Sequence, residues 1–210
     1  MKILCFGKSV QGKDHEENED NLLIDLELKL FAVADGVTIP KGGKKAAEKA
    51  IKYLKLLFEK DLKGLVEKVN EKILEEMDND PVGYTTLAVA YIKNNILQTA
   101  NIGDSSIFLI RDKISLLTAS DRIFGTHALT QAIGQEYLKV DFREEKLKKG
   151  DYIILATDGI TDVLSEEEIF SAVKNLKEPK KIVDFLIEKA KDRPKVYEDD
   201  KTLIVIHIGD

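Results

Sequence analysis

Aspartates are the residues of this sequence best placed to do chemistry. Glu19-Asp20 precedes an apolar stretch that opens at Asn21, and Asp35-Gly36 follows Phe31-Ala32-Val33-Ala34. Asp158-Gly159 follows Ile153-Ile154-Leu155-Ala156-Thr157, and Asp199-Asp200 precedes a run that starts at Thr202. Gly103-Asp104 falls in a turn between two further strand-like runs. Strand ends along one sheet edge converge in space even when far apart in sequence. Carboxylates that converge repel and raise each other's pKa unless cations neutralise them. Hard oxygen donors without His or Cys among them favour Mg²⁺ or Mn²⁺ over Zn²⁺. Several Asp around two such ions suit phosphoester hydrolysis, since the ions polarise phosphoryl oxygens and activate a water. Asp-Gly pairs are also common turn residues, so spacing alone leaves both readings open.

The elements that must position these residues are mixed. Met1–Phe6 reads as a strand, and residues 7–19 as a polar loop. Asn21–Leu26 and Lys29–Ala34 read as a strand pair. Ala47, Ile51, Leu54 and Phe58 recur at helical steps, as do Leu62, Leu65, Val69 and Ile73, which predicts two helices with apolar faces. Strands are then predicted at Thr85–Ile92, Ile96–Ile102, Ser105–Arg111, Ile114–Leu117, Leu138–Glu145 and Tyr152–Ala156. Asn94-Asn95 suits a tight hairpin turn because Asn tolerates positive φ. Ser165-Glu166-Glu167-Glu168 is a capping box that opens a helix. Another helix is predicted from Pro179 to Asp192, and Thr202–Ile208 closes the chain as a strand. Helices and strands come in separate runs, which predicts an α+β fold with mainly antiparallel sheets.

The 210 residues show no linker, repeat or low-complexity tract, so residues 1–210 are read as one domain. The single cysteine, Cys5, excludes a disulfide scaffold and is expected to be buried and inert. No apolar run approaches the ~20 residues that span a bilayer, and the N-terminus lacks a signal-peptide core. The expected location is the cytoplasm, with no membrane partner. A net charge of -6 argues against nucleic acid as the main partner. The default state is a monomer.

In order along the chain, these motifs resemble the metal-dependent Ser/Thr protein phosphatases of the protein phosphatase 2C type. Asn18-Glu19-Asp20, Ala34-Asp35-Gly36, Tyr84-Thr85-Thr86 and Asn101-Ile102-Gly103-Asp104-Ser105 are similar to its first four motifs. Leu129-Thr130-Gln131-Ala132-Ile133-Gly134, Thr157-Asp158-Gly159-Ile160-Thr161-Asp162 and Asp199-Asp200-Lys201-Thr202 are similar to the rest. The resemblance implies a four-layer α-β-β-α sandwich, two antiparallel sheets flanked by helices. It implies that Asp35 bridges two Mg²⁺ or Mn²⁺ ions, that Gly36 adds its carbonyl, and that Asp20, Asp158 and Asp199 complete the site. It implies a third ion at Asp104 and Asp158, joined by Asp162. The implied reaction is direct attack of metal-activated water on phosphoserine or phosphothreonine of a protein substrate, with Asp35 and Asp158 as the catalytic carboxylates.

Departures from the family pattern matter as much. His15 stands where the family places the Arg that clamps the substrate phosphate, and Lys13 is a second candidate as a point charge. His offers at most one donor to a phosphate where Arg offers a planar fork. No His follows Asp35-Gly36 as a general acid. Gly42-Gly43 is read as a loop and helix entry, Tyr84 as partly buried packing, and His127 and His207 as surface or structural residues. Only ten residues separate Leu117-Thr118 from Leu129-Thr130, where the family carries a mobile flap. The site is therefore expected to be open. Flap-poor domains also occur in related phosphatases that act on anti-sigma-factor antagonists; the clear Asn-Glu-Asp motif sets this chain nearer the general bacterial branch. A catalytically weak relative that binds a phosphoprotein is the alternative of a different class.

Overall fold

A computed structural model of the chain describes residues 2–77, 82–193 and 197–209. Ten strands and five helices lie among them. One sheet runs in the order β1 (Ile3–Val10), β10 (Lys201–Ile208), β9 (Tyr152–Ala156), β6 (Ser106–Ile110), β7 (Ile114–Leu116). The other runs β2 (Asp20–Asp25), β3 (Leu30–Asp35), β4 (Leu87–Lys93), β5 (Ile96–Ile102), β8 (Asp141–Lys146). All pairings are antiparallel. Helices α1 (Gly43–Leu57) and α2 (Leu65–Met77) cover the second sheet; α3 (Asp158–Thr161), α4 (Glu166–Leu176) and α5 (Pro179–Lys191) cover the first. This is the expected four-layer sandwich.

The two-residue period of the strands builds three apolar layers from it. On β3, Leu30, Ala32 and Ala34 face α1 and α2, while Phe31 and Val33 face the opposite sheet. On β9, Ile154 and Ala156 meet α4 and α5, while Ile153 and Leu155 face inward. Central strands are thus buried on both faces and read as continuous apolar runs. Phe31 is fully buried between the sheets; truncation to Ala would cost about 3–5 kcal/mol.

Several boundaries differ from expectation for identifiable reasons. β1 extends to Val10 because Lys8, Ser9 and Val10 find register partners in Leu203, Thr202 and Lys201; its polar residues lie on a sheet edge. Leu62 precedes α2 yet is buried, so it contributes to the apolar stripe from a turn. Leu138 and Val140 pack on the core as loop residues ahead of β8. The four-residue α3, directly after Thr157, carries no sequence period to announce it. Asn94 and Asn95 both take positive φ (50° and 61°) in the predicted hairpin turn. The capping box at Ser165 is formed from both directions.

Candidate metal centre

Topology brings the aspartates to one end of the sandwich. β2 begins at Asp20 and β3 ends at Asp35, and these two residues are direct register partners. β5 ends, and β6 begins, around the Gly103-Asp104 turn. β9 ends just before Asp158, and β10 begins just after Asp199 and Asp200. Asp35, Gly36, Asp104, Asp158, Asp162 and Asp199 line one open cleft of about 800 Å³, with Asp20 behind it.

The motif residues beside each aspartate hold it in place. Thr86 Oγ1 accepts the Asp35 amide at 3.0 Å, and the Thr85 hydroxyl donates to the Asp35 carbonyl at 2.9 Å. Thr86 Oγ1 and Ser105 Oγ lie 2.8 Å apart, which ties Asp35 to the Asp104 turn. Asn101 Nδ2 donates to the carbonyls of Gly103 and Ala119. The Thr157 hydroxyl donates to Asp20 Oδ2 at 2.9 Å and itself accepts the Thr202 amide. Gly36 and Gly43 meet backbone to backbone: a Cβ on Gly36 would lie 2.4 Å from the Gly43 carbonyl carbon and 2.7 Å from the Glu19 oxygen. The Gly42-Gly43 pair is therefore the helix entry it was read as, with Gly42 at φ 112° capping α1, and it presses the Asp35-Gly36 turn into shape.

The electrostatics are those of a carboxylate cluster that its cationic neighbours compensate only in part. Burial, then the charges of Asp20, Asp158, Asp199 and Asp104, hold the Asp35 carboxyl well above the usual range. Burial, then Asp200 and Asp158, does the same to Asp20 despite hydrogen bonds to Thr202 and Thr157. Asp158 and Asp199 are raised, chiefly by burial. Asp104 is pushed up to about 6 by burial and Asp158, against the pull of Arg122. Asp20 Oδ1 and Asp158 Oδ1 are buried and have no hydrogen-bond partner among the described residues. Orphaned carboxylate oxygens in a cluster of raised pKa fit hard divalent cations, so the donor set suits Mg²⁺ or Mn²⁺.

The candidate phosphate clamp lies elsewhere. The His15 side chain is only 5% exposed and does not line the cleft. Its Nε2 lies 3.1 Å from Asp199 Oδ1, and its Nδ1 lies 2.9 Å from Asp200 Oδ2 without the alignment of a hydrogen bond. Asp200, where the family has Asn, also accepts the amides of Gly12 and Glu19 at 2.7 Å. His15 thus sits between the half-buried Asp199 and the buried Asp200. Lys13 is exposed and pairs with Glu198 at 3.0 Å. Tyr84 is half-buried in the cleft wall. His127 stands exposed at the cleft, its Nδ1 3.6 Å from Asp162 Oδ2. His207 stacks on Tyr152 at 4.3 Å. Cys5 is half-buried, and desolvation pushes its thiol up to about 12.

Two residues of the site escaped the sequence reading. Tyr197 lines the cleft opposite Val37 to Pro40 and lies against His15. Arg122, from the short segment that stands in place of the flap, binds three aspartates at once. Its Nε donates to Asp104 Oδ2 at 2.7 Å, its Nη1 to both Asp162 oxygens at 2.9 Å, and its Nη2 to Asp158 Oδ2 at 2.6 Å. Partial burial works against its charge, but Asp104 and Asp162 outweigh it and the guanidinium stays charged. Arg111, Arg143 and Arg193 are committed elsewhere, to Asp151, Asp141 and Glu168. With only four Arg in the chain, an Asp-Arg pair at 121–122 between the two Leu-Thr segments was the available signal.

A four-layer sandwich with acidic strand ends gathered in one cleft defines the protein phosphatase 2C class of domain. Comparison with known proteins agrees. The sequence model of the family described as Stage II sporulation protein E (SpoIIE) matches residues 46–209, and the chain belongs to this family of phosphatase 2C-type domains. It is 30% identical over 176 residues to Protein phosphatase 2C homolog 1 of Schizosaccharomyces pombe, an alignment covering 67% of this chain. The chain spans half of that protein's length. The crystal structure of the PPM Ser-Thr phosphatase MsPP from Mycobacterium smegmatis in complex with cacodylate superposes with a TM-score of 0.84 at 28% identity, over 98% of both chains. The catalytic domain of the serine threonine protein phosphatase PstP in complex with two manganese ions does so at 0.87 and 24% identity, over 99% of both. Among the described residues no helix is long and apolar enough to cross a membrane.

Proposed function

We propose that this chain is a metal-dependent protein Ser/Thr phosphatase that hydrolyses phosphoserine or phosphothreonine in a protein substrate. The observation that carries this reading is the cluster of Asp20, Asp35, Asp158 and Asp199 with raised pKa values and orphaned oxygens. Asp20, Asp35, the Gly36 carbonyl, Asp158 and Asp199 would hold two Mg²⁺ or Mn²⁺ ions, which would supply an activated water and neutralise charge on the phosphoryl oxygens. The two manganese ions in PstP and the cacodylate in MsPP support the assignment.

The chain's own residues divide the remaining work. Thr85 and Thr86 fix the Asp35 backbone, so its carboxylate is held before any ligand arrives. Thr157 orients Asp20 and leaves its Oδ1 free to ligate. His15 lies against Asp199 and orients it rather than meeting the phosphate. Segment 119–128 is short, so the cleft is open to a phosphorylated loop on a protein surface. That openness, with the SpoIIE match, favours as a second reading an enzyme devoted to one protein partner, as in the anti-sigma-factor-antagonist phosphatases.

The reading is tested by phosphate release from a phosphothreonine peptide in Mn²⁺ and in EDTA. Turnover in Mn²⁺ alone is expected. Turnover that persists in EDTA would refute it. Turnover only on an intact phosphoprotein would select the one-partner reading.

A further inference from the structure

We infer that Arg122 is a resident cation that takes the place of a third metal ion, so that this enzyme binds two ions and not three. The inference rests on the phosphatase reading only for the location of those two ions. Asp104, Asp158 and Asp162 are the carboxylates implied to hold a third ion, and all three are committed to one guanidinium. Asp104 Oδ2, Asp158 Oδ2 and both oxygens of Asp162 accept from it at 2.6–2.9 Å. Asp158 is divided: Oδ2 belongs to Arg122, while Oδ1 is orphaned. One carboxylate thus serves the arginine on one oxygen and keeps the other for the binuclear centre.

The arginine is built into this position. The segment that replaces the flap is a tight loop anchored to the Asp104 turn itself. The Asp121 amide donates to the Gly103 carbonyl at 3.0 Å, and the Gly103 amide donates to Asp121 Oδ2 at 2.8 Å. The Thr130 amide donates to the Asp121 carbonyl at 2.6 Å, and the Ile123 amide to the Ala128 carbonyl at 2.8 Å. Arg122 therefore enters from a braced hairpin with its side chain 19% exposed. A divalent ion at these three carboxylates must first displace charge-assisted hydrogen bonds to a group that cannot deprotonate. Every guanidinium nitrogen is engaged, and Arg122 does not line the cleft, so it is not placed to grip the substrate phosphate.

The test is the number of Mn²⁺ ions bound, read by titration calorimetry on metal-free protein and by metal analysis after gel filtration. The native chain should bind two, and Asp104→Asn should still bind two. Arg122→Ala should bind three, and adding Asp104→Asn to it should return the count to two. Three ions on the native chain, falling to two in Asp104→Asn, would overturn the inference. So would a count of two in a folded Arg122→Ala. Should Arg122→Ala fail to fold without metal, the native and Asp104→Asn counts decide alone. No Mn²⁺ uptake by the native chain would overturn the binuclear reading beneath it, an outcome distinct from a wrong count.

Discussion

Removing metal should make this protein more stable in mild acid than at neutrality, the reverse of the usual trend. The cause is the buried carboxylate cluster, and Asp104, raised from 3.8 to about 6 in the fold, sets the scale. The folded state holds that proton more tightly than the unfolded state does, so stability is fully present below about pH 3.8. It is lost as pH rises through the folded value. At ~1.4 kcal/mol for each pH unit of displacement the loss is about 3 kcal/mol. About two thirds of it falls between pH 4.5 and 7, which for a chain of this length lowers Tm by about 4–8 °C. Asp20, Asp35, Asp158 and Asp199 are raised as well and push the same way. Opposing groups are weak or act elsewhere. Asp25, Glu76, Glu167, Glu168 and Asp184 are lowered, but their contributions are lost mainly as pH falls below this window. His207, whose pKa burial lowers, opposes as pH falls below 6.5. The assay is thermal unfolding from pH 4.5 to 7, in EDTA and in saturating Mn²⁺. Protons compete with metal for Asp20, Asp35, Asp158 and Asp199, so Mn²⁺ should raise Tm most at pH 7 and reverse the slope. A metal-free Tm that is flat or rises over this range would refute the reasoning, as would the same slope with and without Mn²⁺.

Gly36→Ala should be destabilised by about 1–3 kcal/mol in urea unfolding and lose Mn²⁺ affinity, because its Cβ would strike the Gly43 and Glu19 backbone. His15→Ala should cost about 0.5–3 kcal/mol by removing a buried ring from between Asp199 and Asp200; unchanged stability would show that ring to be dispensable. His15→Arg should not lower KM for a phosphopeptide, because position 15 faces Asp199 and Asp200 and not the cleft; a lowered KM would restore it as a clamp.

The site was legible where local chemistry and chain order sufficed. β5 and β9 fall on the residues their apolar runs marked, and the Asn94-Asn95 turn and the Ser165 cap follow from backbone preferences. The aspartates announced themselves by lying at strand ends, since strands of alternating direction must return those ends to common edges. What stayed hidden depends on contacts between distant residues. Arg122 acts through Asp162, 40 residues away. The contact of His15 with Asp200 joins residues from opposite ends of the chain, and neither residue announces the other in the sequence. Tyr197 reaches the cleft only because β10 brings its preceding loop against Thr38.

The most direct measurement is the turnover of a phosphothreonine peptide by the native chain and by Asp35→Asn in saturating Mn²⁺, with both proteins shown to be folded. Asp35 lies at the centre of the cluster, raised by burial and by four neighbouring carboxylates. Losing it should remove several kcal/mol of transition-state stabilisation, a fall in kcat of at least about 100-fold. Turnover within about threefold of native would contradict the placement of the reaction at this centre.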